Sequence, residues 1–238
     1  MTYAFLEQEL RYQRLSALGK AVDYAGKDFE QFDLRPFLEY IWPVLTFREA
    51  RPRALEYGTG TGPGACFLAR RGLQVDAIDI SPTAIHLARM FAAQRNLEIN
   101  YQVEDICNFS CPERRYDLVV DNFCLLRVIT DERRRRALAV VRSTLKPTGY
   151  FVLGTSIFRA GRYNSGDYVD AATGIIYREV EALPPETCDD VLEWNGRLLY
   201  ALARHVRPEA FRAELEQAGF RILWQAGGRV LCQVNDEA

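Results

Sequence analysis

The sequence has little histidine and lacks closely paired cysteines. Two histidines, His86 and His205, occur far apart in 238 residues. The six cysteines are scattered, and none forms the C-x-x-C pair typical of zinc and redox motifs. We therefore predict no metal site, and free thiols that are buried or partly buried.

Long apolar runs and a basic excess are also missing. No stretch approaches the roughly 18 to 20 apolar residues of a membrane helix. Acidic residues interrupt "MTYAFLEQELRYQRL", where a signal peptide has its apolar core. The formal net charge of −2 offers no excess of cations to neutralise phosphates. These features predict a cytoplasmic protein without a membrane or nucleic-acid partner, and they leave the oligomeric state open.

The pattern along the chain predicts one domain in four segments. Apolar positions at three-and-four spacing predict a helical cap over residues 1–50. Strand and helix patterns alternate over residues 53–156, residues 157–206 lose this rhythm, and residues 207–238 predict a helix and a hairpin at "GG". We therefore predict an α/β domain with a doubly wound, mostly parallel seven-stranded sheet, helices on both faces and an antiparallel last strand.

A glycine-rich turn follows the first predicted strand. Gly58, Gly60, Gly62 and Gly64 alternate with other residues there. Glycine permits positive φ and close approach of a ligand to the backbone. Asp79 ends the second predicted strand about twenty residues later, where a carboxylate accepts hydrogen bonds from ribose hydroxyls. Because ligands bind at the carboxyl ends of strands in such sheets, the pattern predicts a nucleoside-bearing ligand.

Two residues around this turn bear on the kind of ligand. Glu56 stands two residues before Gly58, and Pro63 takes the place of the third glycine in a dinucleotide fingerprint. A carboxylate repels a pyrophosphate and attracts an ammonium or sulfonium group. The sequence thus favours a cationic donor, with an NAD(P)-dependent oxidoreductase or a non-catalytic binding module as alternatives.

Five segments in order resemble the class I S-adenosylmethionine-dependent methyltransferases of the small-molecule type. They are "LEYGTGTG", "AIDIS", "VEDI", "YDLVVDNF" and "LKPTGYFVLGT". The resemblance implies a Rossmann-like methyltransferase fold, S-adenosyl-L-methionine as cofactor, and methyl transfer by in-line displacement to an O or N atom of a small molecule. RNA or protein as the methyl acceptor stays as an alternative.

The resemblance also implies a role for each site residue. The glycine turn and its neighbours would line the methionyl part of the cofactor, Asp79 would accept from the ribose, and Asp105 would accept from the adenine amino group. The implied cofactor-binding set is Glu56, Tyr57, Gly58, Thr59, Gly60, Gly62, Asp79, Ile80, Asp105, Ile106, Asp121 and Asn122.

The catalytic residues are less clearly marked. The histidine common in the family after the fourth strand is absent, because this chain has "CLLR" from Cys124 to Arg127. His205 and Asp121 are the candidate base or orienting groups, and a base is needed only for an acceptor that carries a proton. His86 lies in a predicted helix and is interpreted as structural.

Acceptor recognition is expected from residues 1–50 and 157–206. Aromatic residues and arginines in the second segment either enclose a flat or carboxylate-bearing molecule or form a core with a solvated rim. The run "DERRRR" at 131–136 is interpreted as a solvated helix face. The aromatic and arginine set is Tyr163, Tyr168, Tyr177, Trp194, Tyr200, Arg159, Arg162, Arg178, Arg197 and Arg204.

Overall fold

The computed structural model describes residues 2–20, 28–111, 113–161, 163, 166–180, 188 and 190–235. The helices are α1 (Tyr3–Ala17), α2 (Arg35–Ile41), α3 (Pro63–Arg70), α4 (Pro82–Ala93), α5 (Asp131–Thr144) and α6 (Pro208–Gln217), with single 3₁₀ turns at Trp42–Val44 and Leu125–Arg127. The strands are β1 (Arg53–Tyr57), β2 (Gln74–Asp79), β3 (Asn100–Val103), β4 (Tyr116–Asn122), β5 (Leu145–Gly154), β6 (Asp167–Val169), β7 (Ile175–Glu179), β8 (Val191–Trp194), β9 (Arg197–Arg204), β10 (Phe220–Ala226) and β11 (Arg229–Val234).

Seven strands form one sheet, here called the large sheet, in the order β10-β11-β5-β4-β1-β2-β3. β1 pairs in parallel with β2 and β4, and β5 pairs in parallel with β4. β11 is antiparallel to both of its neighbours, β10 and β5. The predicted seven-stranded, mostly parallel sheet with an antiparallel last strand is therefore confirmed. The strand order reverses between β1 and β4, which is the switch point where ligands bind in such sheets.

Side chains of the large sheet alternate between two cores, because successive residues of a strand point to opposite faces. Ala54 of β1 belongs to the core that includes α2, α3 and α4. Leu55 and Tyr57 belong to the core that includes α5 and α6. Helices therefore cover both faces, as predicted for a doubly wound fold.

Residues 157–206, which lack a clear pattern in the sequence, contain a second sheet. This small sheet has the order β6-β7-β9-β8, and all of its strand pairs are antiparallel. The two ends of this segment lie side by side, because Phe158 donates its backbone N–H to the carbonyl of Val206 at 3.0 Å. Strands of three and four residues, such as β6 and β8, are too short to give a clear periodic signal. The division of the chain into one domain with four segments stays a prediction.

The run "DERRRR" opens α5, and one of its arginines is not solvated. Arg134 is 1% exposed, whereas Arg133, Arg135 and Arg136 are exposed. Arg134 donates to both carboxylate oxygens of Glu214, at 2.5 and 2.8 Å. The interpretation as a solvated face is therefore wrong for Arg134, because residues three and four apart share one helix face and Arg134 lies on the buried face with Ala137, Leu138 and Val141.

Candidate active site

The glycine turn between β1 and α3 has the backbone that the sequence predicts. Gly58, Gly60 and Gly62 have φ values of +62°, +57° and +88°. A Cβ on Gly58 would lie 2.3 Å from the Sγ atom of Cys124, so a side chain is excluded there by contact as well as by φ. We call residues 58–62 the cofactor turn. It lies at the carboxyl end of β1, beside the switch point of the large sheet.

Glu56 lies beneath the cofactor turn rather than on its surface. Its side chain is fully buried, and Thr59 donates its hydroxyl to Oε2 at 2.5 Å. A Cβ on Gly64 would lie 1.9 Å from Oε1, which places the carboxylate against the first turn of α3. Burial raises the pKa of Glu56 to about 7, although hydrogen bonds from Thr59 and from the Ala65 backbone oppose the rise. Oε1 has no hydrogen-bond partner among the residues that the structure describes.

Asp79 joins the end of β2 to the cofactor turn. Its Oδ2 accepts from the backbone N–H of Gly60 at 2.9 Å, and its Oδ1 accepts from the N–H of Ser81 at 2.9 Å. Asp79 is 8% exposed, and burial raises its pKa. The next residue, Ile80, is 44% exposed. A carboxylate fixed in this way keeps further acceptor capacity for a ligand.

The helix α1 covers the same region, which the sequence did not predict. Tyr12 places its hydroxyl 3.0 Å from the position that a Cβ on Gly60 would take. Glu9 accepts hydrogen bonds from the hydroxyls of Ser81, at 2.5 Å, and of Thr83. α1 thus lies against both the cofactor turn and the start of α4. Periodicity predicts that a segment is helical, but it does not show which distant loop the helix contacts.

Asp105 and Ile106 follow β3, next to the end of β2. The backbone N–H of Glu104 donates to the carbonyl of Asp79 at 2.9 Å, so the two predicted acid positions lie on neighbouring strand ends. Asp105 accepts from the Cys107 N–H at 2.9 Å and forms an ion pair with Arg133 at 2.7 Å. Ile106 is 5% exposed and belongs to a core cluster.

Asp121 and Asn122 end β4, opposite the end of β1. Asp121 is fully buried and accepts from the Tyr57 hydroxyl at 3.1 Å and from the Cys124 N–H at 2.6 Å. Burial raises the pKa of Asp121 to about 6, while the hydrogen bonds oppose the rise. Asn122 accepts from the backbone N–H of Leu34 at 3.1 Å. Asp121 therefore fixes the turn after β4, and its proposed role in the reaction stays a prediction.

His205 follows β9 and lies beside the aromatic ring of Tyr163, with ring centroids 5.7 Å apart. Burial, and then the charge of Arg127, lower the pKa of His205 below its usual value. The imidazole is therefore neutral near neutral pH and able to accept a proton. Within the described part of the chain no hydrogen bond joins His205 to Asp121. His86 is exposed on α4.

The arginines of residues 157–206 are mostly engaged within the protein. Arg178 pairs with Asp167 at 3.0 Å, Arg197 pairs with Glu179 at 3.0 Å, and Arg204 pairs with Asp131 at 2.5 Å. Arg162 lies outside the described residues. Of the two alternatives for this set, the structure supports a core with a paired, solvated rim for these three arginines.

The described ranges contain no candidate metal site and no candidate membrane-spanning helix. No group of three or more His, Cys, Asp or Glu side chains there is arranged to hold a metal ion. The helices in those ranges are all too short or too polar to cross a membrane. Cys66, Cys107 and Cys232 are buried free thiols.

The strand order, the glycine turn and the acids at successive strand ends define a Rossmann-like methyltransferase fold. Residues 54–149 match the family model described as a methyltransferase domain. The resemblance found in the sequence is confirmed: this part of the chain is a methyltransferase domain.

Two known proteins illustrate the similarity in sequence. The 2-heptyl-1-hydroxyquinolin-4(1H)-one methyltransferase of Mycobacteroides abscessus is 32% identical over 42% of this chain and 44% of its own length. The ubiquinone biosynthesis O-methyltransferase of Alkalilimnicola ehrlichii is 30% identical over 66% of this chain and 60% of its own length. The chain thus spans less than two thirds of these relatives.

A solved structure shares the fold over nearly the whole chain. It is the 1,6-didemethyltoxoflavin-N1-methyltransferase of Burkholderia thailandensis with bound 1,6-didemethyltoxoflavin and S-adenosylhomocysteine. The TM-score is 0.60 at 17% sequence identity, and the match covers 99% of this chain and 92% of that one.

Proposed function

We propose that this protein is a cytoplasmic S-adenosylmethionine-dependent methyltransferase that methylates an O or N atom of a small molecule. The observation that carries the proposal is the bare, positive-φ turn at Gly58, Gly60 and Gly62, joined by a hydrogen bond to Asp79 at the next strand end. The methyltransferase-domain match and the small-molecule relatives support the same activity.

The residues present fit this cofactor. The three glycines of the cofactor turn offer backbone without side chains, and Asp79 offers a fixed carboxylate beside it for two ribose hydroxyls. Asp105 lies on the neighbouring strand end for the adenine amino group, and the exposed Ile80 is available to cover the base. Glu56 places a buried carboxyl group under the turn, and a cationic ligand above it favours the charged form of that group.

When bound, S-adenosylmethionine supplies an electrophilic methyl group on a positively charged sulfur. The protein's main task is to orient the acceptor, and orientation contributes up to about 7 to 11 kcal/mol to such reactions. Asp121 holds the turn after β4 rigid through the N–H groups of Cys124 and Leu125. His205 is neutral near neutral pH, so it is able to take a proton from a hydroxyl or amine acceptor.

The site argues against the oxidoreductase alternative. A dinucleotide pyrophosphate binds at a helix N-terminus through free backbone N–H groups. Here the carboxyl group of Glu56 lies against the first turn of α3, where Gly64 leaves room for it. Two negative groups at one helix start repel each other. An RNA acceptor is also disfavoured, because the formal net charge of −2 offers no excess of cations for phosphates.

The first test is calorimetric titration of the purified protein with S-adenosylhomocysteine and, separately, with NAD. We expect S-adenosylhomocysteine to bind and NAD not to bind. Replacing Asp79 with alanine should weaken S-adenosylhomocysteine binding by about 1 to 3 kcal/mol, the usual contribution of hydrogen bonds to a charged group.

The matched control is Asp76→Ala, on the same strand. Asp76 accepts from Tyr116 at 2.8 Å and pairs with Arg115, so its loss perturbs β2 without touching the cofactor turn. Equal weakening by both substitutions would show that Asp79 acts on stability alone. Binding of NAD in place of S-adenosylhomocysteine would overturn the proposed function.

A further inference from the structure

Arg127 lies on the rigid turn that follows β4. Asp121 holds the start of this turn through the N–H groups of Cys124 and Leu125. From the other side, Arg134 donates to the carbonyls of Leu125 and Val128, at 2.8 and 3.2 Å. The backbone that carries Arg127 is therefore fixed before any ligand arrives, which lowers the cost of binding.

Arg127 differs from other arginines near it in having no acidic partner. Its Nη1 donates to the backbone carbonyl of Leu202 at 2.8 Å. Among the residues that the structure describes, no carboxylate forms an ion pair with it, whereas Arg133, Arg134 and Arg204 each meet one. Part of the side chain is open to solvent, yet burial and then Arg11 lower its pKa. This combination is typical of a side chain that lines a cleft.

Arg127 lies between the cofactor turn and the small sheet, because Cys124 on the same turn after β4 lies against Gly58 and Arg127 itself contacts β9. On one side, Tyr12 of α1 places its hydroxyl 3.0 Å from the position of a Cβ on Gly60. On the other side, Arg127 contacts Leu202 of β9 and lowers the pKa of His205. Glu7, the acid that also influences Arg127, accepts a hydrogen bond from Tyr200. Arg127 thus faces the place where an acceptor would meet the methyl donor.

A partly exposed guanidinium without a carboxylate partner is able to form charge-assisted hydrogen bonds with a negatively charged ligand. Three of its N–H groups on Nε and Nη2 remain for such a ligand, in the planar arrangement that matches a carboxylate. We propose that Arg127 binds a carboxylate group of the methyl acceptor, so that the substrate of this protein is a small organic acid. The proposal rests on the proposed function and specifies its substrate class.

A carboxylate at this position has two possible sources, the acceptor and the amino-acid part of the cofactor. The position of Arg127 against β9 and near His205, rather than on the cofactor turn, favours the acceptor. The experiment therefore measures both sources separately.

The test uses a set of small carboxylic acids, each paired with its neutral primary amide, and the full-length protein. Binding of each probe is measured by ligand-observed NMR and calorimetry, with and without saturating S-adenosylhomocysteine. We expect acids to bind more tightly than their amides. Replacing Arg127 with methionine should weaken the binding of acids by about tenfold to a hundredfold and leave the amides unchanged.

Two further variants keep the result interpretable. Arg127→Lys retains the positive charge but not the planar pair of donors, so it should restore part of the affinity for acids. Arg136→Gln removes an exposed arginine that pairs with Glu132 on α5, away from the cleft, and should change nothing. If the methionine variant does not fold, the lysine variant measured against wild type still decides the question.

The outcomes separate the two proposals. Equal binding of acids and amides by the wild-type protein, or no binding of any acid at millimolar concentration, would overturn the role of Arg127. Loss of S-adenosylhomocysteine affinity in Arg127→Met, with acid binding unchanged, would assign Arg127 to the cofactor instead. A protein that prefers acids through Arg127 but ignores S-adenosylhomocysteine would retain the anion site and refute the methyltransferase proposal.

Discussion

The large and small sheets differ in how their side chains meet water. In β4 of the large sheet every residue except Asn122 is buried. In β8 of the small sheet three of four residues are exposed, and β6 is half-buried throughout. Burial of apolar surface is the dominant source of stability, so the large sheet carries the fold. The small sheet is free to vary its surface while it borders the candidate acceptor cleft.

The largest expected difference concerns two arginine pairs. Arg134, 1% exposed, binds Glu214 beside the large sheet, whereas the Arg197–Glu179 pair of the small sheet is about half exposed on both sides. Arg134→Met should lower the free energy of unfolding by about 3 to 5 kcal/mol, because it leaves buried polar groups unpaired. Arg197→Met should lower it by less than about 1 kcal/mol. Urea denaturation of both variants measures the contrast.

If both variants lose a similar free energy of unfolding, the small sheet is as tightly coupled to the core as α5 is. A double variant, Arg134→Met with Glu214→Met, serves as the control. It removes both charges, and its recovery of stability would show that the unpaired groups cause the loss.

The second comparison concerns two glycines with similar φ. Gly58 and Gly196 have φ values of +62° and +72°. A Cβ on Gly58 would meet Cys124, whereas a Cβ on Gly196 would have nothing within 4 Å. Gly196→Ala should lower the free energy of unfolding by about 1 to 2 kcal/mol, because alanine is strained at this positive φ. Gly58→Ala should cost about 1 to 3 kcal/mol more through overpacking, as measured by thermal and urea unfolding.

A matched double variant tests the cause. Gly58→Ala combined with Cys124→Gly makes room for the new methyl group and should behave like Gly196→Ala. If the double variant is as unstable as Gly58→Ala, the contact with Cys124 is not the reason.

The third comparison concerns acids with opposite pKa directions. Burial raises the pKa of Glu56 from 4.5 to about 7 in the folded protein. The folded state therefore holds this proton more tightly, and the associated stability is complete below pH 4.5 and lost as the pH rises through about 7. Glu56→Gln should remove a decline on the order of 3 kcal/mol in the free energy of unfolding over this pH range.

The small sheet supplies the control of opposite sign. Hydrogen bonds from Thr173 and the Ala172 backbone lower the pKa of Asp170. Its contribution to stability is present above its usual pKa and is lost as the pH falls through its lowered value, so Asp170→Asn should alter the curve only in strong acid. If the stability of Glu56→Gln falls between pH 4.5 and 7 as steeply as that of the wild type, burial of Glu56 is not the cause of the decline.

The large sheet and the cofactor turn were predictable because their signals are local. The positive φ of Gly58, Gly60 and Gly62 follows from residue type and spacing within one turn. Asp79 was placed beside that turn because parallel strands bring their carboxyl ends to one edge. The order of strand and helix patterns then limits the topology.

The acceptor side was not predictable to the same extent. Tyr12 reaches Gly60 and Arg127 reaches Leu202 across long sequence separations that no periodicity encodes. The pairing of Arg178 with Asp167 depends on the β6–β7 hairpin, whose first strand has three residues. Arg127 was visible in "CLLR" only as a departure from the family pattern, and its missing carboxylate partner is a property of the fold alone.

The position of β11 between β10 and β5 has a consequence for synthesis of the chain. During translation the hydrogen-bonding edge of β5 stays uncovered until residues 229–234 leave the ribosome, about eighty residues after β5 itself, at the usual rate of some 5 to 20 residues per second. An open edge of a sheet invites pairing with other chains. The nascent protein therefore passes through several seconds in which this edge is open to pairing with other chains, until the hairpin of β10 and β11 covers it.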